Sequence, residues 1–274
     1  MRRLPLKLLC VSMGSPNYPT RKERILTVTR QDFEDAIAAY WDAKNNQHEL
    51  SAIKDAVGAG TAGSVRGGRH FDHIVALLAK FFLDAGYAPE DIRVNKQQGL
   101  ELPGYYRPQK QWDLVVTRGN TLVAAFELKA LGGPSFGNNY NNRVEEALGS
   151  AVDLRRAALA DAFPGEKPWL GYFFLMEDHP KSRSPVSVRK GPFPVERIWL
   201  GKSYQDRFSI FCERLMDEGL YDSVCYITSS KEETRPTEPV TSLDWRHFSA
   251  AINARIRYLE DLGLPGPGQG DLPM

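Results

Sequence analysis

The run TLVAAFELKAL, residues 121–131, has the apolar content of a buried strand, yet it carries Glu127 and Lys129 among its apolar neighbours. Just upstream lies a second apolar run, QWDLVVTR (111–118), and between the two stands Gly119-Asn120. Two such runs joined by a two-residue Asn/Gly turn predict a β-hairpin. On a strand, residues two apart share a face, so Glu127 and Lys129 point to the same side. Burying either of them unpaired would cost several kcal/mol. A chain with this hairpin must therefore give the two charges partners, or leave them at a sheet edge as ordinary solvated charge.

The rest of the chain alternates helical and strand patterns. DFEDAIAAYWDAK sets Phe33, Ile37, Tyr40 and Trp41 at helical spacing, with Asp32 near the start. A glycine-rich loop through residues 58–69 precedes HFDHIVALLAKFFLDAG, whose apolar face ends at Gly86. After the hairpin we expect a polar loop, GGPSFGNNYNN, and a helix from about Arg143 to Ala162. PWLGYFFLME (168–177) reads as a buried strand, and DHPKSRSPVSVRKGPFPVERIW as a proline-punctuated, basic loop or small insertion. YQDRFSIFCERLMDEGLY reads as a helix, DSVCYITSS as a strand and LDWRHFSAAINARIRYLEDLG as a terminal helix. The order predicts an α/β fold with helices packed on a central mixed sheet of about five strands.

The 274 residues, 42% hydrophobic and 25% charged, suffice for one sizeable core. We expect a flexible tail over 1–28, a single domain over 29–262 and a disordered tail over 263–274. The net charge of +1 excludes a global positive field, so any nucleic-acid surface must come from local segregation of the 35 basic residues. Three scattered cysteines (Cys10, Cys212, Cys225) argue against a disulfide framework or zinc cluster and suit small core residues in a reducing cytoplasm. MRRLPLKLLCVSMGSP imitates a signal peptide, but Pro5 and Lys7 break its apolar patch. No run approaches the roughly 18 apolar residues of a membrane span.

Asp113 lies on the partner strand, across the turn from Glu127. Two hard oxygen donors converging beside a lysine make a site for Mg²⁺. Such an ion polarises a phosphate and lowers the pKa of a bound water, while the lysine orients that water or offsets charge. An aspartate followed at a variable gap by Glu-x-Lys also arises by chance, so the triad alone leaves both readings open.

Longer stretches carry more information. LPGYYRPQKQWDLVV (102–116), AAFELKALGGPSFGNNYNNRVEEALGSAVDL (124–154) and PWLGYFFLMED (168–178) resemble the XhoI family of type II restriction endonucleases, within the PD-(D/E)xK nuclease superfamily. The resemblance is most specific over about 66–178 and weaker over 204–230; Trp112 stands where the motif usually has proline. It implies a PD-(D/E)xK restriction-endonuclease-like fold and Mg²⁺-dependent cleavage of both strands of double-stranded DNA. The site implied is a palindromic six-base-pair sequence, CTCGAG, cut by a homodimer that leaves 5′-phosphates and is paired with a cognate DNA methyltransferase. Asp113, Glu127 and Leu128 would then bind metal, and Lys129 would serve the attacking water. A catalytically silent DNA-binding protein, or another nuclease of the same fold without a restriction role, remains the alternative.

Several further residues suit DNA. Asn138, Asn139, Asn141, Asn142 and Arg143 are side-chain types that read adenine and guanine edges, although asparagines also favour turns and helix N-caps. Lys181, Arg183, Arg189 and Lys190 could clamp a backbone or stand as solvated charge. Arg66, Arg69, Arg107 and Lys110 could contact phosphates near the cut. Asp72 could add an acid to the metal cluster or complement the dipole of its own helix, a role that also suits Glu145 and Glu146. His70 and His73 lack the partners of a zinc site.

Overall fold

The computed structural model describes residues 28–56, 69–133 and 135–264. The expected tails apart from Val28, Gly263 and Leu264, most of the glycine-rich loop, Cys10 and Arg66 lie outside the described residues, as does the side chain of Arg69. Val28, expected in the flexible tail, is buried in the core.

The hairpin forms as the sequence predicts. Strand β4 (Leu114–Arg118) and strand β5 (Thr121–Leu131) pair antiparallel around Gly119-Asn120, with Arg118 opposite Thr121 and Leu114 opposite Phe126. Gly119 takes φ +54°, a left-handed conformation that glycine adopts without steric cost. A register shift beside Val116 and Thr117 marks a β-bulge. Outside β4 lies the short strand β1 (Ile92–Arg93), antiparallel to it. On the far side of β5 come β6 (Trp169–Glu177) and β7 (Ser223–Ser229), each parallel to its neighbour. The result is a five-stranded mixed sheet in the order β1-β4-β5-β6-β7.

Both faces of this sheet are covered. Helices α1 (Arg30–Ala56), α2 (Asp72–Asp84) and α6 (Trp245–Asp261) bury Phe33, Ile37, Leu78, Phe82, Phe248 and Ile252 against Phe126, Leu128 and Phe173. Phe33 and Trp245 stack at 4.4 Å and tie α1 to α6. On the opposite face, α3 (Phe136–Leu159) and α5 (Tyr204–Asp217) pack Ala147, Ala151, Phe208 and Cys212 against Val115, Ala125, Tyr172 and Phe174. Ser203 begins α5 with a reciprocal cap, its hydroxyl accepting from the Asp206 amide at 3.1 Å while the Asp206 carboxylate accepts from the Ser203 amide at 2.9 Å. Cys212 and Cys225 are buried free thiols, as expected of small core residues.

Three expectations need correction. QWDLVVTR is not one strand. Gln109–Gln111 is a separate strand, β3, which pairs with β2 (Glu101–Pro103) in a small second sheet; Trp112 and Asp113 bridge it to β4. Trp112 is buried and donates its amide to the Leu100 carbonyl at 2.9 Å, which diverts the chain before it joins the main sheet. Second, GGPSFGNNYNN is not all loop, because α3 starts at Phe136. Phe136 stacks on Tyr204, Tyr140 meets Phe208 edge-on at 5.2 Å, and Ala147 and Ala151 continue the buried stripe, so packing overrides the weak helix propensity of the asparagines. Third, Glu145 and Glu146 lie more than two turns inside α3, which removes the helix-dipole explanation. The basic loop after β6 contains one short helix, α4 (Pro180–Arg183), and a single 3₁₀ turn at Arg197–Trp199. No helix among the described residues is long and apolar enough to cross a membrane.

Candidate active site

The charged residues of β5 sit where the main sheet loses a strand. β4 starts at Leu114, and one residue earlier Asp113 leaves the ladder, its amide donating to the Phe126 carbonyl at 3.1 Å. Its carboxylate accepts the Leu128 amide at 2.8 Å, capping β5 where β4 no longer pairs with it. Glu127 and Lys129 project together from the face covered by α3, and their side chains form an ion pair. The Glu127 side chain is only 4% exposed and is held from its other oxygen by Lys110 of β3. Lys110 in turn donates to the Gln111 carbonyl at 2.9 Å and lies 4.2 Å over the Trp112 ring. The burial that would penalise two isolated charges is thus answered by a carboxylate shared between two ammonium groups.

The two carboxylates have different environments. Burial opposes the charge of Glu127, but Lys129 and Lys110 outweigh it and hold the carboxyl below its ordinary pKa. Asp113 goes the other way: burial, and then the like charge of Glu127, push it up against the weaker pull of Lys129 and the Leu128 amide. Burial disfavours the Lys129 ammonium, yet Glu127 and Asp113 raise its pKa overall.

Around the Lys129 ammonium converge three oxygens: the paired Glu127 Oε1, the Leu128 main-chain carbonyl at 3.4 Å and Asp113 Oδ2 at 3.8 Å. Hard, mostly anionic oxygens gathered about one cationic point are a donor set that fits a divalent ion such as Mg²⁺. Among the described residues no group of three or more His, Cys, Asp and Glu side chains forms a metal cluster, so the set is two carboxylates and a carbonyl. Asp72 stands exposed in the first turn of α2, where an acid complements the helix dipole. Arg107, Lys110, Glu127, Lys129, Arg143, Glu145 and Glu146 line one open cavity of about 370 Å³.

The family model for restriction endonuclease XhoI matches residues 52–239, more than half of the chain and the whole of this site. The chain belongs to the XhoI restriction endonuclease family. Membership places it among the type II restriction enzymes. It is 40% identical over 179 residues to the type II restriction enzyme BstVI of Geobacillus stearothermophilus, covering 63% of this chain and 79% of that protein. To the type II restriction enzyme XhoI of Xanthomonas vasicola it is 38% identical over 187 residues, 67% of this chain and 73% of that one. No solved structure matches the chain.

The remaining predicted residues of this XhoI-family chain fall into separate places. Arg107, Lys110 and Arg143 join Glu127 and Lys129 around the cavity, Arg143 paired with Glu146. Lys110, expected as a free phosphate contact, is engaged with Glu127. Asn138 shares a second cavity of about 280 Å³ with Lys181 and Tyr204, and Asn141 lines a third between α3 and α5. Asn138 and Asn142 are exposed on α3 and Asn139 is half-buried. Arg183 pairs with Asp178 at 3.3 Å; Arg189 and Lys190 are exposed on the loop beyond it. Sequence reasoning missed Asp153, a buried acid of α3 that accepts hydrogen bonds from the Tyr105 and Tyr106 amides (2.8 Å each) and from Arg107 Nε (2.6 Å). A lone aspartate inside a helix carries no motif that could have flagged it.

Proposed function

We propose that the chain hydrolyses phosphodiester bonds of double-stranded DNA at a palindromic site, CTCGAG by its kinship, with Mg²⁺ as cofactor. The observation that carries this reading is the grouping of Asp113, Glu127 and the Leu128 carbonyl around the Lys129 ammonium, with Glu127 and Lys129 lining a cavity edged by Arg107 and Arg143. In this reading Asp113, Glu127 and Leu128 hold the metal. When bound, Mg²⁺ supplies polarisation of the phosphate and a more acidic water. Lys129 would orient an attacking water and offset charge developing on the phosphate, while Lys110 holds the Glu127 carboxylate in place. Arg107 and Arg143 face the DNA strand. Arg143 lines the cavity with its guanidinium paired to Glu146, a contact it would share or give up on meeting a phosphate. The α3 asparagines and the basic residues Lys181, Arg183, Arg189 and Lys190 would read or grip DNA further from the cut. The protein would act in the cytoplasm beside a methyltransferase that protects the same site.

A palindrome is matched by two-fold symmetry, so we propose a homodimer in which each protomer cuts one strand. Light scattering of the enzyme on its DNA should give about twice the protomer mass; one protomer per cleaved site would contradict the dimer. The activity is tested by digesting a plasmid carrying CTCGAG. Discrete, Mg²⁺-dependent bands mapping to that sequence are expected, and Asp113→Ala and Glu127→Ala should each abolish them. Full cutting in EDTA, or a smear without preferred ends, would refute the reading.

A further inference from the structure

The tip of the β2–β3 hairpin, Gly104-Tyr105-Tyr106-Arg107-Pro108, is held more tightly than a surface turn requires. Asp153 reaches it from α3 with a carboxylate that accepts two successive main-chain amides and the Arg107 guanidinium. A Cβ at residue 104 would come within 2.5 Å of the Asp153 carboxylate, so only glycine allows this approach. The effect of this anchoring is to face two aromatic rings outward. Tyr105 is 51% exposed and Tyr106 68% exposed, their rings edge to face at 4.9 Å, with the Arg156 guanidinium 5.6 Å from Tyr105.

Stability does not account for this arrangement. Rings left in water contribute little burial, and ordering a five-residue tip costs conformational entropy. Rigid, outward-facing tyrosines offer a large contact area at small further entropy cost, as recognition surfaces do. Their position says what they meet. Arg107, next to Tyr106, and Lys110 line the cavity that holds Glu127 and Lys129. Arg107 thus puts the hairpin tip at the rim of that cavity. With Arg107 and Arg156 beside the rings, the surface suits an anionic polymer with apolar sugar surface between its phosphates.

We propose that Tyr105 and Tyr106 form an aromatic contact with the DNA duplex at the rim of the cavity, their rings packing against deoxyribose and base edges. The inference rests on the DNA-cleaving role set out above. Aromatic contacts with sugar and base edges lose affinity on alanine substitution without altering the phosphate charge that is neutralised. The test measures binding of a cognate duplex in Ca²⁺, by fluorescence anisotropy over a range of salt, with cleavage in Mg²⁺ at saturating DNA. The variants are Tyr105→Ala/Tyr106→Ala and Tyr105→Phe/Tyr106→Phe.

The alanine pair should bind roughly tenfold or more weakly with an unchanged salt slope. Its cleavage rate at saturation should stay near that of the wild type, and the phenylalanine pair should bind within about threefold of the wild type. Urea midpoints of both pairs should match the parent, because the rings are exposed. Equal binding by the alanine pair, or an equal loss in the phenylalanine pair, overturns the ring contact. If the unmodified protein neither binds nor cuts any duplex, the DNA reading itself fails, and that result is distinct from either of these.

Discussion

Asp113 and Glu127 should have opposite effects on stability, although both should be essential to cleavage. Glu127 is almost wholly buried between Lys110 and Lys129, whose side chains are only 14% and 21% exposed. Glu127→Gln keeps the shape but leaves two confined ammonium groups without their carboxylate. Breaking a buried pair costs about 3–5 kcal/mol, and some access of water to both lysines reduces this to roughly 2–4 kcal/mol. Asp113 is more open, at 36% side-chain exposure, and its charge is opposed by burial and by Glu127. Asp113→Asn removes that charge, while the amide oxygen still accepts from Leu128. Discounted for solvent screening, it should stabilise the protein by about 0.5 kcal/mol. The two variants should therefore differ by about 3 kcal/mol, or on the order of 10 °C in midpoint for a chain of this size. Urea and thermal unfolding in EDTA measure both values. Adding Ca²⁺ should then raise the wild type but neither variant, since a ligand stabilises only the state that binds it. A Glu127→Gln protein as stable as the wild type, or an Asp113→Asn protein less stable by more than ~1 kcal/mol, would refute this account of the site's charges.

Lys129→Ala should bind cognate duplex in Ca²⁺ nearly as well as the wild type yet cut it about 10²-fold or more slowly, checked by gel shift and single-turnover cleavage; a wild-type rate would remove Lys129 from the chemistry. Arg143→Ala should lose about 1–3 kcal/mol of preference for cognate over scrambled duplex at fixed salt if the guanidinium touches a base edge, whereas uniform weakening would mean a phosphate contact. Burial works against the Asp153 carboxylate, but the Tyr106 amide, Arg107 and the Tyr105 amide hold its pKa below the ordinary value. Its contribution to stability should be complete above the unfolded carboxylate pKa of about 4 and decline as pH falls toward the lower folded value. Asp153→Asn should flatten that part of the urea-midpoint profile, and an unchanged acid slope would count against the anchor.

What could be read from the sequence divides by how far apart the interacting residues lie along the chain. The hairpin around Gly119-Asn120 was legible because its turn and both runs fall within about twenty residues. The shared face of Glu127 and Lys129 follows from strand alternation alone, and the structure pairs them. The start of α3 was not legible. Its asparagines favour turns locally, and the partners that make Phe136 and Tyr140 helical, Tyr204 and Phe208, come more than sixty residues later. β2 and β3 escaped because each has only three residues, bounded by Pro103, Gly104 and Pro108, too short for any periodicity to register.

Lys110 shows where local reading stops. From its neighbours it is one of several cations before the hairpin, available to any phosphate. In the fold it is committed to Glu127, because β3 folds back with β2 over the end of β5 and brings the ammonium to the carboxylate's free oxygen. The same displacement takes Asp113 out of β4, so that its carboxylate caps the Leu128 amide and faces Lys129. The spacing of Asp113, Glu127 and Lys129 therefore singles out the proposed reacting groups, but not their charge balance. That balance depends on a hairpin whose tip is fixed by Asp153, forty-six residues beyond Arg107. A substitution in α3 can thus reach the Asp113 and Glu127 carboxylates through the hairpin without touching either of them.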